Sequence, residues 1–171
     1  VTACKQCVKA AGRPMSRSSN GCDAMTEPDP ALAIPNLLYT YAMRFDDGDF
    51  EGAAALFDKG GVTMGGRRIE GREAILGMWQ KWVKTYDGKP LTRHITTNPI
   101  IELGDDGLTA TCQSQWTVLQ AAPGFPLQVV ATGRYRDSLA CDRDGWHFTT
   151  REYVQTDLVG DSSAHTLQSL N

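Results

Sequence analysis

The chain has 171 residues, 41% of them hydrophobic and 22% charged, which fits one globular domain with a core large enough to enclose a pocket. A net charge of −3 and the lack of a long Lys/Arg run argue against nucleic acid or an anionic membrane as a partner. The sequence has neither an apolar stretch of the roughly 18 residues that span a bilayer nor a signal-peptide pattern, so we expect a cytoplasmic protein.

The first 28 residues differ from the rest of the chain. They contain Cys4, Cys7 and Cys22 and almost no hydrophobic periodicity, which predicts a flexible tail in which Met25 is an alternative translation start. Cys4 and Cys7 have the spacing of half a zinc site, but a structural zinc needs four ligands. We therefore predict no metal. The 5 cysteines lack a disulfide framework and favour a reducing compartment.

Two helices are predicted after this tail. Apolar residues recur at helical spacing from about Pro35 to Asp47, and Gly48 supplies a stop. Asp49 has the character of an N-cap, which predicts a short second helix from Phe50 to Phe57.

A short hairpin and a third helix follow. Residues 61–70 read as two brief strands around a Gly-Gly turn, without the other elements of a phosphate-binding loop. The helix is predicted from Arg72 to Tyr86, because its apolar residues fall on one broad face. Those residues are Ile75, Met78, Trp79, Trp82, Val83 and Tyr86.

The second half of the chain is rich in strands separated by good turn sequences. The predicted strands are Leu91 to Leu103, Leu108 to Gln120, Leu127 to Cys141 and Trp146 to Thr156. They indicate an antiparallel meander, and helices at the front of the chain must then cover one face of a curved sheet in an α+β domain. We expect this domain to span residues 29–158, and residues 159–171 to form a polar, frayed C-terminal tail.

Three residues are candidates for catalysis. Asp46 ends the first helix, where the helix dipole disfavours a carboxylate, and His94 lies in the first long strand. A carboxylate that accepts a hydrogen bond from one imidazole nitrogen fixes the tautomer and makes the other nitrogen a better base. Tyr41 lies on the apolar face of the helix and can donate to an oxygen on which negative charge develops.

Several segments in the same order resemble the SnoaL-like branch of the NTF2-like superfamily, which includes scytalone dehydratase and bile-acid 7α-dehydratase. They are Tyr41-Ala-Met-Arg-Phe-Asp-Asp-Gly-Asp-Phe50, Gly71-Arg-Glu-Ala-Ile75, Thr92-Arg-His-Ile-Thr-Thr-Asn98, Gly133-Arg-Tyr-Arg-Asp137 and Asp144-Gly-Trp146. The resemblance covers residues 31–157. It implies a conical α+β barrel with a deep apolar pocket, a small apolar ligand and a homodimer or higher homo-oligomer.

The resemblance also assigns roles to the candidate residues. Asp46 matches the helix-end aspartate of the dehydratases, His94 matches the histidine that pairs with it, and Tyr41 is similar to a tyrosine that points into the pocket. On the central strand the sequence departs from the family, because residues 112–117 read Cys-Gln-Ser-Gln-Trp-Thr and offer no second base. The candidate substrate-binding residues are Ser114, Gln115, Trp116 and Asn98.

Three other polar residues are expected to be structural. His147 and His165 have no visible partner, and His165 lies in the predicted tail, so we interpret both as structural or solvated. Arg151 either lines the mouth of the pocket or pairs with a surface carboxylate, and the ion pair is the better expectation.

The combined interpretation is a lyase of the dehydratase type or an isomerase. It would act without cofactor or metal on a small, apolar, oxygenated ring compound such as a polyketide, steroid or aromatic catabolite. Two alternatives stay open. One is a non-catalytic ligand-binding or assembly subunit, like the β-subunits of ring-hydroxylating dioxygenases, and the other is an epoxide hydrolase in which Asp46 activates water.

Overall fold

The computed structural model describes residues 29–167, and the predictions for the N-terminal tail and its cysteines lie outside them. The helices are α1 (Pro30–Asp47), α2 (Phe50–Ala55) and α3 (Arg72–Trp82). The strands are β1 (Gly61–Met64), β2 (Arg67–Glu70), β3 (Thr92–Leu103), β4 (Thr109–Ala122), β5 (Phe125–Asp142) and β6 (Gly145–Val159). None of these helices is long and apolar enough to cross a bilayer.

Capping residues define α1. Its first turn forms earlier than predicted, because the side chain of Asp29 accepts a hydrogen bond from the N–H of Ala31 and Pro30 occupies a position that needs no donor. Pro35 consequently lies inside the helix rather than at its start. The helix ends at Gly48, whose φ of 82° suits glycine, and Asp49 caps α2 as predicted.

The six strands form one sheet in the order β2-β1-β6-β5-β4-β3. All neighbouring strands are antiparallel except β1 and β6, which run parallel. The last four strands form the predicted meander. The predicted α+β class is confirmed, with a curved sheet that does not close into a barrel because β2 and β3 remain its edges.

The core lies between the helices and one face of the sheet. Apolar side chains of α1 and α3, including Ile34, Leu38 and Ile75, are fully buried there together with Phe148 of β6. Aromatic rings fill the space around them, and Phe57 stacks on Phe148 with ring centroids 4.9 Å apart. α1 also lies against β3, and this contact positions the candidate site.

The segment after β6 differs from the expected frayed tail. Ser162, Ala164 and Thr166 are buried, and residues 165–167 run beside the end of α3. Backbone hydrogen bonds hold them there, from Lys84 N–H to the His165 carbonyl at 2.9 Å and from Leu167 N–H to the Trp82 carbonyl at 2.8 Å. The predicted helical extension to Tyr86 is therefore wrong, because the chain turns extended at Val83 to pair with this segment.

Candidate active site

A cavity of about 380 Å³ opens between the helices, the sheet and the C-terminal segment. Its walls are mainly apolar and aromatic. They include Phe45, Met78, Trp79, Trp82, Trp116 and Val118. Such a surface favours a ring compound whose faces are apolar, and only a few polar groups are available to orient it.

His94 lines this cavity, and Asp46 holds it from behind. The Nδ1 atom of His94 lies 2.6 Å from Oδ1 of Asp46, and the backbone N–H of His94 donates to Oδ2 at 2.7 Å. The hydroxyl of Thr92 also donates to Oδ1, at 2.6 Å. The structure thus brings together the two residues that the sequence pairs, across the contact between α1 and β3.

These contacts determine the charge of Asp46 and the tautomer of His94. Burial alone would raise the pKa of Asp46, but the hydrogen bonds and charge of His94, with the bond from Thr92, hold it below its usual value. The group is therefore a carboxylate at neutral pH and can only accept hydrogen bonds. Consequently Nδ1 of His94 carries a proton, and in the neutral imidazole Nε2 has the free lone pair of a base.

Tyr41 is the third predicted catalytic residue, and its hydroxyl lies at the same cavity. It shares a hydrogen bond of 2.8 Å with the hydroxyl of Tyr153, and the ring of Tyr135 packs edge-on against Tyr41. All three tyrosines line the cavity. Burial raises the pKa of each, so all remain protonated and can donate a hydrogen bond to an oxygen.

Arg151 lies directly beneath the tyrosines, and the expected surface ion pair is wrong. Its guanidinium makes two hydrogen bonds of 2.8 Å to Asp137, and both side chains are fully buried. It also stacks on the rings of Tyr41 and Tyr135, 4.4 and 4.2 Å from their centroids. Burial opposes its charge, but Asp137 more than offsets this and raises the pKa of Arg151. The guanidinium cation therefore packs against the faces of the Tyr41 and Tyr135 rings and helps to fix their positions.

Among the candidate substrate-binding residues, only Trp116 lines the cavity. Ser114, Gln115 and Asn98 instead surround a separate depression of about 240 Å³. The reasons are geometric. Gln115 points to the opposite face of β4 from Trp116, and Asn98 lies at an irregularity of β3, where its amide donates to Gln115 at 3.0 Å.

His165, interpreted from the sequence as structural or solvated, lies at the cavity. Its ring lines the cavity edge-on to that of His94, with centroids 6.3 Å apart. Its Nδ1 is buried and has no hydrogen-bond partner within residues 29–167. Burial, reinforced by the charge of His94, lowers the pKa of His165 to about 4, so it is uncharged at neutral pH.

Within residues 29–167, no group of three or more His, Cys, Asp or Glu side chains is arranged so that it could hold a metal ion. The polar groups that line the cavity include two imidazoles, one of them held by a carboxylate, and a cluster of phenols, together with Gln155, Thr156 and Thr166. This set can move a proton and stabilise a developing negative charge.

Comparison with known proteins agrees with this architecture. A model of the SnoaL-like domain matches residues 30–152. The chain belongs to the SnoaL-like domain family. A search of curated protein sequences found no significant match.

Three of the solved structures with a similar fold come from Novosphingobium aromaticivorans. An NTF2-like protein with a cystatin-like fold shares 22% identity over 77% of this chain and 83% of its own, with a TM-score of 0.59. A protein provisionally named a scytalone dehydratase shares 21% over 75% and 85%, with a TM-score of 0.60. The β subunit of a protein provisionally named an aromatic-ring-hydroxylating dioxygenase shares 16% over 78% and 94%, with a TM-score of 0.61. At these identities they establish the NTF2-like fold alone.

Proposed function

We propose that this SnoaL-like protein is a cofactor-independent dehydratase or isomerase of a small, apolar, oxygenated ring compound. The observation that carries the proposal is the contact between Asp46 and His94 at the wall of an apolar cavity. Burying a carboxylate costs free energy of desolvation, and such groups are concentrated at functional sites. Here the carboxylate fixes the tautomer of an imidazole at the cavity, which is what acid-base catalysis requires.

The proposed reaction begins at a carbon next to a carbonyl group. Nε2 of His94 takes the proton. As the enolate forms, the hydroxyl of Tyr41 donates to the carbonyl oxygen while it accepts the hydrogen bond of the Tyr153 hydroxyl. In a dehydratase the enolate then expels a hydroxyl from the next carbon, and His94 returns the proton to that oxygen so that water leaves. In an isomerase His94 returns the proton to another carbon.

The cavity limits the substrate to a small ring system. A volume of about 380 Å³ accommodates a bicyclic ketone, and aromatic walls favour a flat molecule. Its polar lining includes the tyrosine hydroxyls and the two imidazoles, which can bind a carbonyl and a hydroxyl group. The substrate class is therefore a hydroxylated cyclic ketone with an otherwise apolar skeleton.

The geometry favours this chemistry over epoxide hydrolysis. Epoxide hydrolysis by Asp46 would need a free carboxylate oxygen facing the ligand and a water molecule. Both oxygens of Asp46 already accept hydrogen bonds from Thr92 and His94, and it is His94 that lines the cavity. A non-catalytic subunit, in turn, would have no need for an oriented base in its cavity.

The test uses 3-hydroxy-1-tetralone, a bicyclic ketone that forms 1-naphthol on loss of water and can be followed by absorbance. We expect His94→Ala and Asp46→Asn to lower kcat/KM by about 10² to 10⁴-fold, with unchanged circular dichroism. His147→Gln is the matched control, because this histidine does not line the cavity. Equal turnover by wild type and both variants would overturn the proposal. Tight binding without dehydration or isomerisation would instead support a binding subunit.

We also propose that the protein forms a homodimer or higher homo-oligomer. Strands of the sheet expose large apolar side chains, with Ile100 at 63%, Leu127 at 70% and Leu158 at 69% exposure. A second copy of the chain carries the same apolar surface. A symmetric interface between the two copies would therefore bury these side chains on both of them. Sedimentation velocity at micromolar concentration should show at least a dimer, and monomer alone would contradict this proposal.

A further inference from the structure

The C-terminal segment delivers an imidazole to the cavity and holds it firmly. The carbonyl of His165 accepts a hydrogen bond from Lys84 N–H, and the neighbouring Thr166 pairs with Val83 just beyond α3. Two more bonds tie the turn before it, because the N–H groups of His165 and Thr166 both donate to the Ser162 carbonyl. The ring therefore faces the cavity from a fixed backbone.

The ring presents one nitrogen to a ligand. Its Nδ1 is buried without a partner in the described part of the chain, so it can neither donate nor accept there. A proton on Nδ1 would be an unsatisfied buried donor, and the favoured tautomer therefore carries the proton on Nε2. A neutral imidazole of this form offers an N–H donor to the cavity, as a neutral histidine does when it polarises a substrate oxygen.

Burial, assisted by the charge of His94 and opposed by that of Asp46, keeps His165 neutral during the proposed reaction. His94 faces it from β3 and Asp46 lies behind His94 on α1, while burial disfavours any charge on the ring. Once His94 has taken a proton from carbon, it carries the positive charge that disfavours a proton on His165. The abstracted proton therefore stays on His94, available for the leaving oxygen.

We propose that His165 binds the leaving hydroxyl of the substrate, donating from Nε2 to the hydroxyl oxygen beside His94. This inference rests on the proposed dehydratase function and selects it over isomerisation. The proton moves from carbon to Nε2 of His94 and then to the hydroxyl oxygen. The C–O bond breaks with its electron pair on oxygen, a C=C bond forms and water leaves, while His165 keeps its own proton.

The test measures the contributions of the hydroxyl and of the carbonyl to binding separately, with two unreactive probes. 2-Tetralol carries only the hydroxyl and 1-tetralone carries only the carbonyl, and binding of each is followed through the fluorescence of Trp79, Trp82 and Trp116 in the cavity wall. We expect His165→Leu to weaken binding of 2-tetralol about tenfold, the loss of one good hydrogen bond, and to change binding of 1-tetralone less than about twofold. His165→Gln keeps an N–H donor and should recover part of the loss.

Tyr41→Phe is the matched control variant, because it removes the donor proposed for the carbonyl. It should weaken 1-tetralone more than 2-tetralol, the reverse of His165→Leu. Equal effects of His165→Leu on the two probes, or no effect on either, would overturn the inference. Failure of both probes to bind folded wild-type protein would overturn the proposed ligand class and this inference together.

Nuclear magnetic resonance provides a second readout that is independent of turnover. The chain contains 3 histidines, so His94→Gln, His147→Gln and His165→Gln assign every imidazole signal. Added 2-tetralol should shift the ring ¹⁵N signals of His165 and leave those of His147 unchanged. Absence of turnover of 3-hydroxy-1-tetralone by wild type would contradict the proposed function, whereas a shift confined to His94 would contradict the role of His165.

Discussion

Asp46 accepts hydrogen bonds from both the side chain and the backbone of His94, one on each carboxylate oxygen. The imidazole cannot rotate away without losing a charged acceptor, and the strand cannot shift without losing the second bond. The dipole of α1 disfavours a carboxylate at the C-terminal end of the helix. The hydrogen-bond donors of β3 offset this unfavourable interaction, so Asp46 can hold His94 in place.

The first prediction concerns acid stability. Because the folded pKa of Asp46 is lowered, its contribution to the free energy of unfolding is present above the unfolded value of about 4 and is lost as pH falls further. Asp46→Asn leaves one of three donors without an acceptor and should cost about 1 to 3 kcal/mol at pH 7. Urea unfolding at pH 7 and pH 3 should show the variant less stable at pH 7 and the difference reduced at pH 3. An equal difference at both values would contradict the assigned charge.

The second prediction concerns Tyr41. Tyr41→Phe removes one of the two hydroxyls that share a hydrogen bond at the cavity, and should lower kcat for 3-hydroxy-1-tetralone by about 10²-fold. Tyr39→Phe is the control, because Tyr39 lies on the same helix but is 41% exposed and outside the cavity. An unchanged kcat for Tyr41→Phe would contradict the prediction and show that the carbonyl oxygen accepts hydrogen bonds from other groups.

The sequence was sufficient to predict the elements that depend on local patterns. The meander follows from turn sequences between β-rich runs, and the dyad follows from Asp46, whose position at a helix C-terminus requires an explanation. Trp116 lies at the cavity wall because residues on one face of β4 alternate along the strand.

The features that were missed depend on contacts between distant segments. His165 lies in a polar stretch without a hydrophobic period, so no local signal indicates that residues 162–166 pack against α3. Arg151 likewise has no sequence neighbour that reveals its partner, because Asp137 reaches it through the register of β5 and β6. The irregularity of β3 that displaces Asn98 depends on pairing with β4.

The third prediction is a second pH dependence, from His165. Its folded pKa of about 4 lies below the ordinary 6.5, so the unfolded chain binds the proton more readily and stability falls as pH drops from 6.5 to 4. The slope from this group is at most about 1.4 kcal/mol per pH unit. His165→Gln should flatten the dependence in that window, and His147→Gln should not. If His165→Gln left the pH dependence of the free energy of unfolding unchanged, the pKa of His165 would not be lowered and its ring would be in contact with water.

The fourth prediction concerns the ion pair beneath the tyrosines. Asp137→Asn leaves the buried Arg151 without its charged partner and should cost about 3 to 5 kcal/mol in urea unfolding. Glu152→Gln, which weakens the exposed pair with Arg136 in the same two strands, should cost no more than about 1 kcal/mol. Similar losses for both variants would show that water reaches Arg151.

The last prediction concerns Gly133, which lies opposite Trp116 across β4 and β5. A Cβ added there would overlap the indole ring of Trp116 and the carbonyl oxygen of Gln155, so the ring must move into the cavity or the strands must separate. Gly133→Ala should therefore cost about 1 to 3 kcal/mol and weaken binding of 1-tetralone. Gly77→Ala is the matched control, because an added Cβ in this turn of α3 meets nothing within 4 Å and should stabilise the helix by up to about 1 kcal/mol. If Gly133→Ala bound 1-tetralone like wild type, Trp116 would not form the wall on which the ketone rests.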